Sequence, residues 1–146
     1  MWQRPRPLSK ASPMSSSTLR NQFPLREFEK KDQSALSSIK ESKFSDLDKG
    51  WVMVALDGTI VGGIVTGRYS DFGRIRAINY LSAKDDAPEW SQDRLLKKVL
   101  DEAQVPHIVM VDWGEVENYK ALGFIILPKP REVGASLLIW LPPDPV

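Results

Sequence analysis

Cysteine is absent from the chain, which removes disulfides, thiolate metal sites and a cysteine nucleophile. Histidine occurs once, at His107, and a single imidazole with no thiolate available argues against a transition-metal site. It follows Pro106 and opens an apolar stretch, so a structural role is expected of it. No apolar run approaches the length of a membrane-spanning helix, and a membrane protein is not expected. The opening MWQRPRPLSK lacks the apolar centre of a secretory signal, which makes the cytoplasm the expected address. No phosphate loop of the Walker type, dinucleotide fingerprint or serine elbow is present. Two further gaps bear on binding: the first twenty residues hold no acid, and no glycine falls between Gly73 and Gly114.

What remains is the composition of an ordinary globular domain. The 146 residues are 42% hydrophobic and 27% charged, enough to bury one core and too few for two. The net charge of +1 hides an asymmetry, because Arg4, Arg6, Lys10 and Arg20 stand in the acid-free start and the rest sums to −3. A near-neutral to acidic body makes nucleic-acid binding unexpected. Residues 1–21 hold three prolines and five serines with few apolar side chains, and are expected to form a disordered basic arm. Residues 22–146 are expected to form the single domain, and Met14 offers an alternative start within the arm.

Along the domain, FPLREFEKKD reads as a first strand, and Asp32 as the N-cap of a helix in QSALSSIKES, with Ala35, Leu36 and Ile39 on one face. GWVMVALDGTIVGGIVTGRY reads as a hairpin turning at Asp57-Gly58, a dipeptide suited to a type I′ turn. Gly62 and Gly63 in its second arm predict a bulge or a close backbone approach. GRIRAINYLSA predicts a strand with Ile75, Ala77, Asn79 and Leu81 on one face and Arg74, Arg76, Ile78 and Tyr80 on the other. SQDRLLKKVLDEA spaces Leu95, Leu96, Val99, Leu100 and Ala103 for one face of a helix. HIVMVD is a short buried strand, GEVENYKAL a short helix ended by Gly123, and FIILP and SLLIWLP are closing strands, each stopped by proline. The predicted order is β-α-β-β-β-α-β-α-β-β.

That order, together with the hairpin WVMVALDGTIVGGI and the segment NYKALGFIIL, resembles the GNAT acyltransferases over roughly residues 23–142. The resemblance implies an α/β (α+β) domain: a mixed, mostly antiparallel twisted sheet of six or seven strands flanked by helices. It implies further that the fourth strand's backbone, at Leu81, Ser82 and Ala83, would hold the thioester of acetyl-coenzyme A. The following loop and helix start, including Gln92 and Arg94, would hold its pyrophosphate. Tyr119 would be the general acid that protonates the departing thiolate, a role suited to a phenol with a pKa near 10. Glu115 is the candidate base for the acceptor amine, with Glu117 and Asp112 as alternatives. Without a thioester, Tyr119 would simply anchor its helix on the sheet.

The loop itself departs from the family's pattern. Trp90 and Gln92 stand in its glycine places and Ala87 where a basic residue leads, although glycines are what let successive N–H groups approach a phosphate. Asp85, Asp86, Glu89 and Asp93 crowd the stretch against Lys84, and DAPE reads as a capping box that would satisfy the helix start internally. Five tryptophans are many for this length. Trp51 and Trp140 are expected in the core, and Trp90 and Trp113 at the lip of the cleft, where exposed indoles favour recognition. The expectation is therefore a GNAT-like domain with a degenerate coenzyme A site and no bound cofactor. It would serve as a binding or regulatory subunit, with a protein partner engaged through the arm and the Trp90/Trp113 region. The alternative is an active acetyl-coenzyme-A-dependent N-acetyltransferase acting on an amine: a protein N-terminus, a lysine or a small molecule.

Overall fold

The computed structural model describes residues 22–46, 48–69, 74–128 and 135–143. The proposed arm, residues 1–21, lies outside them. The elements are β1 (Leu25–Glu27), α1 (Gln33–Ile39), β2 (Lys49–Val54), β3 (Ile60–Arg68), β4 (Arg76–Ala83), α2 (Ser91–Glu102), β5 (His107–Asp112), α3 (Val116–Lys120), β6 (Ile125–Ile126) and β7 (Ala135–Trp140), with 3-10 turns at Lys30–Asp32 and Trp113–Glu115. This is the order read from the sequence. The strands form one seven-stranded sheet in the order β1-β2-β3-β4-β5-β7-β6, antiparallel everywhere except between β4 and β5.

The β2–β3 hairpin forms where expected, with a different turn. Gly58 has φ +91°, and no residue other than glycine has positive φ among the described residues, so Asp57 cannot take the I′ conformation. Gly58 N–H donates to Ala55 O and Ala55 N–H to Thr59 O, at 2.9 and 2.8 Å. A three-residue loop, Leu56 to Gly58, thus closes with a left-handed glycine at its end. The Asp57 carboxylate accepts from Thr59 N–H at 2.9 Å. The glycine pair behaves as read: the register slips beside Gly62, and a Cβ on Gly63 would lie 2.8 Å from Leu36 Cδ2, so α1 packs directly on that backbone.

Asp32 is not a side-chain N-cap. Its carboxylate is buried and accepts two 2.8 Å hydrogen bonds from the Arg26 guanidinium and one of 2.8 Å from Glu29 N–H. It ties β1 to the 3-10 turn that leads into α1.

The sheet carries apolar packing on both faces. On one, α2 lays down Leu95, Leu96, Val99 and Leu100, the stripe read from the sequence, against Met53, Ile64 and Leu81, with Tyr119, Phe124, Leu138 and Trp140 continuing the cluster. Each fully buried leucine contributes about 1.5–3 kcal/mol relative to exposure. On the other, Leu36 of α1 meets Val52, Val65 and Tyr80, flanked by Phe28, Ile39 and Phe44. Trp140 is buried as expected, whereas Trp51 is only partly buried at the edge of the first cluster. His107 is a core residue, its Nδ1 2.9 Å from Val105 O, its ring edge-on to Trp140, and burial holds its pKa below the ordinary imidazole value.

Candidate functional site

The site begins with one extra residue. On β3, Val65 and Thr66 are consecutive, yet they pair with Tyr80 and Ile78, leaving Asn79 as a bulge in β4. A bulge bends its strand and sharpens the twist. Its first effect is to exchange faces: Ile78 joins Leu81 and Ala83 in the α2 cluster, while Tyr80 packs in the α1 cluster and its hydroxyl donates to Leu36 O at 2.7 Å. The strict alternation read from GRIRAINYLSA therefore fails at Asn79. The second effect is on pairing. β4 and β5 are in register only at Arg76↔His107 and Ala77↔Ile108, just before the bulge, and beyond it they separate.

The separation leaves backbone groups facing a gap. Lys84 N–H donates to Val61 O at 2.8 Å, and in the register beyond the bulge Ser82 and Tyr80 likewise face β3. Backbone direction alternates along a strand, so Leu81 and Ala83 turn their N–H and C=O toward the gap, while Ser82 does not. Of the three candidate thioester-holding residues, two are directed into the splay.

Tyr119 comes to the same place from α3. It lines a small cavity in the gap with Ile78 to Leu81, Val109, Met110 and Lys40. The cavity holds about 20 Å³, room for about one water. Tyr119 is only 1% exposed, its ring edge-on to Phe124 at 5.4 Å. Among the described residues its hydroxyl makes no hydrogen bond. Burial, and then the carboxylates of Glu115 and Asp93, push its phenol above the ordinary tyrosine range. Glu115 is likewise buried, whereas Glu117 is exposed and ion-paired with Lys120 at 3.6 Å, and Asp112 is half-buried at the end of β5. Lys40, which no sequence pattern singled out, ends α1 with its Nζ 6.0 Å from the Tyr80 ring centroid, and burial depresses its pKa. A second cavity of about 300 Å³ shares Ile78, Asn79, Val109 and Met110 with the first and is lined also by Tyr69, Ala77, Ile108 and Leu137.

The loop between β4 and α2 is built from turns. The helix starts at Ser91, so DAPE is not a capping box: Asp86 and Glu89 are exposed residues of the loop. Ser91 N–H and Oγ both donate to Pro88 O, at 3.0 and 2.6 Å, and Arg94 N–H donates to Trp90 O at 3.0 Å. Trp90 is 3% exposed, which corrects its expected place at an open lip. Phe23 packs on it edge-to-face with centroids 6.1 Å apart. Arg94 stands 5.9 Å from its ring centroid and donates to Phe23 O at 2.5 Å. Gln92 is buried beneath. Trp113, by contrast, is exposed, its indole N–H donating to Ala135 O at 3.0 Å. Among the described residues no group of three His, Cys, Asp or Glu could hold a metal ion, and no helix is long and apolar enough to cross a membrane.

A mostly antiparallel seven-stranded sheet, parted beyond a bulge at its one parallel pair and backed by helices, has close counterparts among solved structures. The spermidine/spermine N-acetyltransferase SpeG from Vibrio cholerae matches at a TM-score of 0.63 and 12% identity, covering 83% of this chain and 93% of that one. An acetyltransferase of the GNAT family from Staphylococcus aureus matches at 0.60 and 13%, covering 82% and 98%. The chain has the GNAT fold. No family model matches the sequence, and no curated protein does. At such identities the likeness is one of fold, and the loop before α2 has to be judged on its own residues.

Proposed function

We propose that this GNAT-fold chain is a non-catalytic binding or regulatory subunit whose coenzyme A site is filled by its own side chains. The observation that carries this reading is Trp90, buried with Phe23 and Arg94 at the start of α2, where a pyrophosphate would need bare backbone N–H groups. Those residues do not fit a phosphate: the turn has no glycine, and Asp85, Asp86 and Glu89 surround it with negative charge. The cavity that Tyr119 lines holds about 20 Å³, far below the about 300–1,000 Å³ of ordinary ligand pockets, and the neighbouring cavity of about 300 Å³ is lined by Tyr69, Ala77, Ile108 and Leu137 without Tyr119. In this reading Tyr119 anchors α3, and a protein partner is engaged by the basic arm, residues 1–21, and the exposed Trp113. The protein acts in the cytoplasm.

The second reading is an acyl-coenzyme-A-dependent N-acetyltransferase acting on an amine. It is favoured by Tyr119 and Leu81 lining one cavity in the gap, and by the similar Vibrio cholerae protein being a spermidine/spermine N-acetyltransferase. Acetyl-coenzyme A titrated against tryptophan fluorescence and melting temperature separates the two. No saturable change up to about 1 mM is expected, and a dissociation constant in the micromolar range, worth about −8 kcal/mol, would overturn the first reading. In that event Tyr119→Phe is expected to lower turnover more than affinity.

A further inference from the structure

Val109 and Val111 of β5 and Leu138 and Trp140 of β7 belong to the α2 cluster, so alternation turns Ile108, Met110 and Leu137 to the opposite face of the sheet. That is the face on which α1 lies, packed over Val52, Val65 and Tyr80. Ile108, Met110 and Leu137 join Tyr69 and Ala77 around the cavity of about 300 Å³, the low end of the range for ligand pockets. Apart from the Tyr69 hydroxyl and the Asn79 amide, the side chains around it are apolar. Such a lining suits hydrocarbon and offers a polar group few partners along its length.

The two cavities adjoin, since Ile78, Asn79, Val109 and Met110 line both. Hydrogen-bond donors gather where they meet. The half-buried Lys40 caps the end of α1 and lines the smaller cavity from the same face as the larger one. Tyr119, 1% exposed, lines it as well, and its hydroxyl makes no hydrogen bond among the described residues, which leaves a buried donor to satisfy. The carboxylates of Glu115 and Asp93 act on that hydroxyl, but neither residue lines either cavity, so Lys40 is the one charged side chain in the lining of the pair. We propose that this chain binds an apolar monocarboxylate, its hydrocarbon tail among Ile108, Met110 and Leu137 and its carboxylate at Lys40. The ammonium supplies the charge, and the Asn79 amide and Tyr119 hydroxyl supply further donors to an acceptor-only group. An amine with the same tail would set like charge against Lys40. A phosphate would not fit, because about 20 Å³ admits a group of about one water's size, such as a carboxylate oxygen. The proposal rests on the reading of the chain as a binding domain whose gap holds no thioester, and gives that domain a small ligand.

Octanoate titrated into the isotope-labelled full chain, followed by amide chemical shifts, tests this. Saturable shifts at Ala77, Asn79, Ile108 and Leu137 are expected, with a dissociation constant of about 0.1–1 mM. Octylamine is expected to bind at least about tenfold more weakly, and Lys40→Met to weaken octanoate by a similar factor while the melting temperature stays unchanged. Ala77→Phe fills the larger cavity and is expected to abolish binding. Should either variant fail to fold, the comparison of octanoate with octylamine on the wild type decides. No saturable shift up to about 10 mM overturns the proposal, as do equal binding of the two ligands, octanoate affinity untouched by Lys40→Met, or shifts confined to residues away from the cavity. The acetyl-coenzyme A titration fails separately. Silence toward both ligands sinks the carboxylate site and leaves the non-catalytic reading standing, whereas micromolar binding of acetyl-coenzyme A sinks that reading whether or not octanoate binds.

Discussion

Trp90→Ala is expected to lower stability by about 3–5 kcal/mol, the usual cost of emptying a large aromatic site in a core. For a domain of this size that is a fall in melting temperature of roughly 10–20 °C. The indole is almost fully buried, carries the edge-on Phe23 ring, and lies under Arg94, whose guanidinium reaches back to Phe23 O. Removing it unseats the link between the first described residues and the start of α2 together with the side chain itself. Had Trp90 been an exposed recognition residue, the same substitution would change partner binding and leave the melting curve within about 0.5 kcal/mol of wild type. Thermal and urea denaturation of the variant distinguish the two directly. Trp113→Ala is the matched comparison, expected to fall near the smaller figure because that ring is 59% exposed.

The second large effect is electrostatic and depends on pH. Arg26→Ala leaves the Asp32 carboxylate buried with Glu29 N–H as its remaining donor from the present set. Breaking a buried pair costs about 3–5 kcal/mol, and because the Arg26 side chain is itself 39% exposed, about 2 kcal/mol is expected at pH 7. In the wild type, burial raises the Asp32 pKa, but the Arg26 hydrogen bonds and the Glu29 N–H outweigh it and hold the group below the ordinary carboxylate value. A depressed folded-state pKa contributes stability that is fully present above the unfolded value, about 3.9, and is lost as pH falls through the folded value. Without Arg26, burial prevails and Asp32 protonates more readily. The gap between wild type and variant is therefore expected to be widest near neutrality and to narrow as pH falls below the unfolded value and through the depressed folded value. Urea midpoints measured at pH 7 and pH 3 check the sign, and a gap that widened in acid would refute it.

The element order was legible because it rests on local chemistry. The period-3.6 stripe of Leu95, Leu96, Val99 and Leu100 needs only a sheet to lie on, and that is where it lies. The β-rich runs on either side of Asp57-Gly58 had to turn there, since Gly58 alone in that loop takes positive φ without strain. The type of turn was not legible: the same dipeptide serves a two-residue and a three-residue loop, and cross-strand pairing of Ala55 with Thr59 selects the longer. The helix start after β4 was misread for a related reason. DAPE has the letters of a capping box, but the chain is still turning back from the sheet there, and Ser91 with Pro88 O closes the first turn instead.

The candidate site depended on contacts that span the chain. Tyr119 and the strand containing Leu81 and Ala83 were identifiable in the sequence, as was the missing glycine run before α2. That Leu81 and Ala83 face the gap and Ser82 does not follows from the Asn79 bulge, which exists only relative to β3. Lys40 enters the same cavity because α1 packs on Gly63, a closeness that no spacing in QSALSSIKES encodes.

By itself the sequence determined the order of strands and helices, the place of the hairpin, and a loop before α2 without the glycines a phosphate would need. These follow from side-chain periodicity and backbone permissiveness, which act over a few residues. The tertiary structure alone decided that β4 and β5 part at Asn79, that Trp90 turns inward, and that β6 ends the sheet. Each of these depends on which distant segment arrives as a neighbour: β3 against the bulge, β7 against β6, and Phe23, whose carbonyl accepts the Arg94 guanidinium across 71 positions of chain.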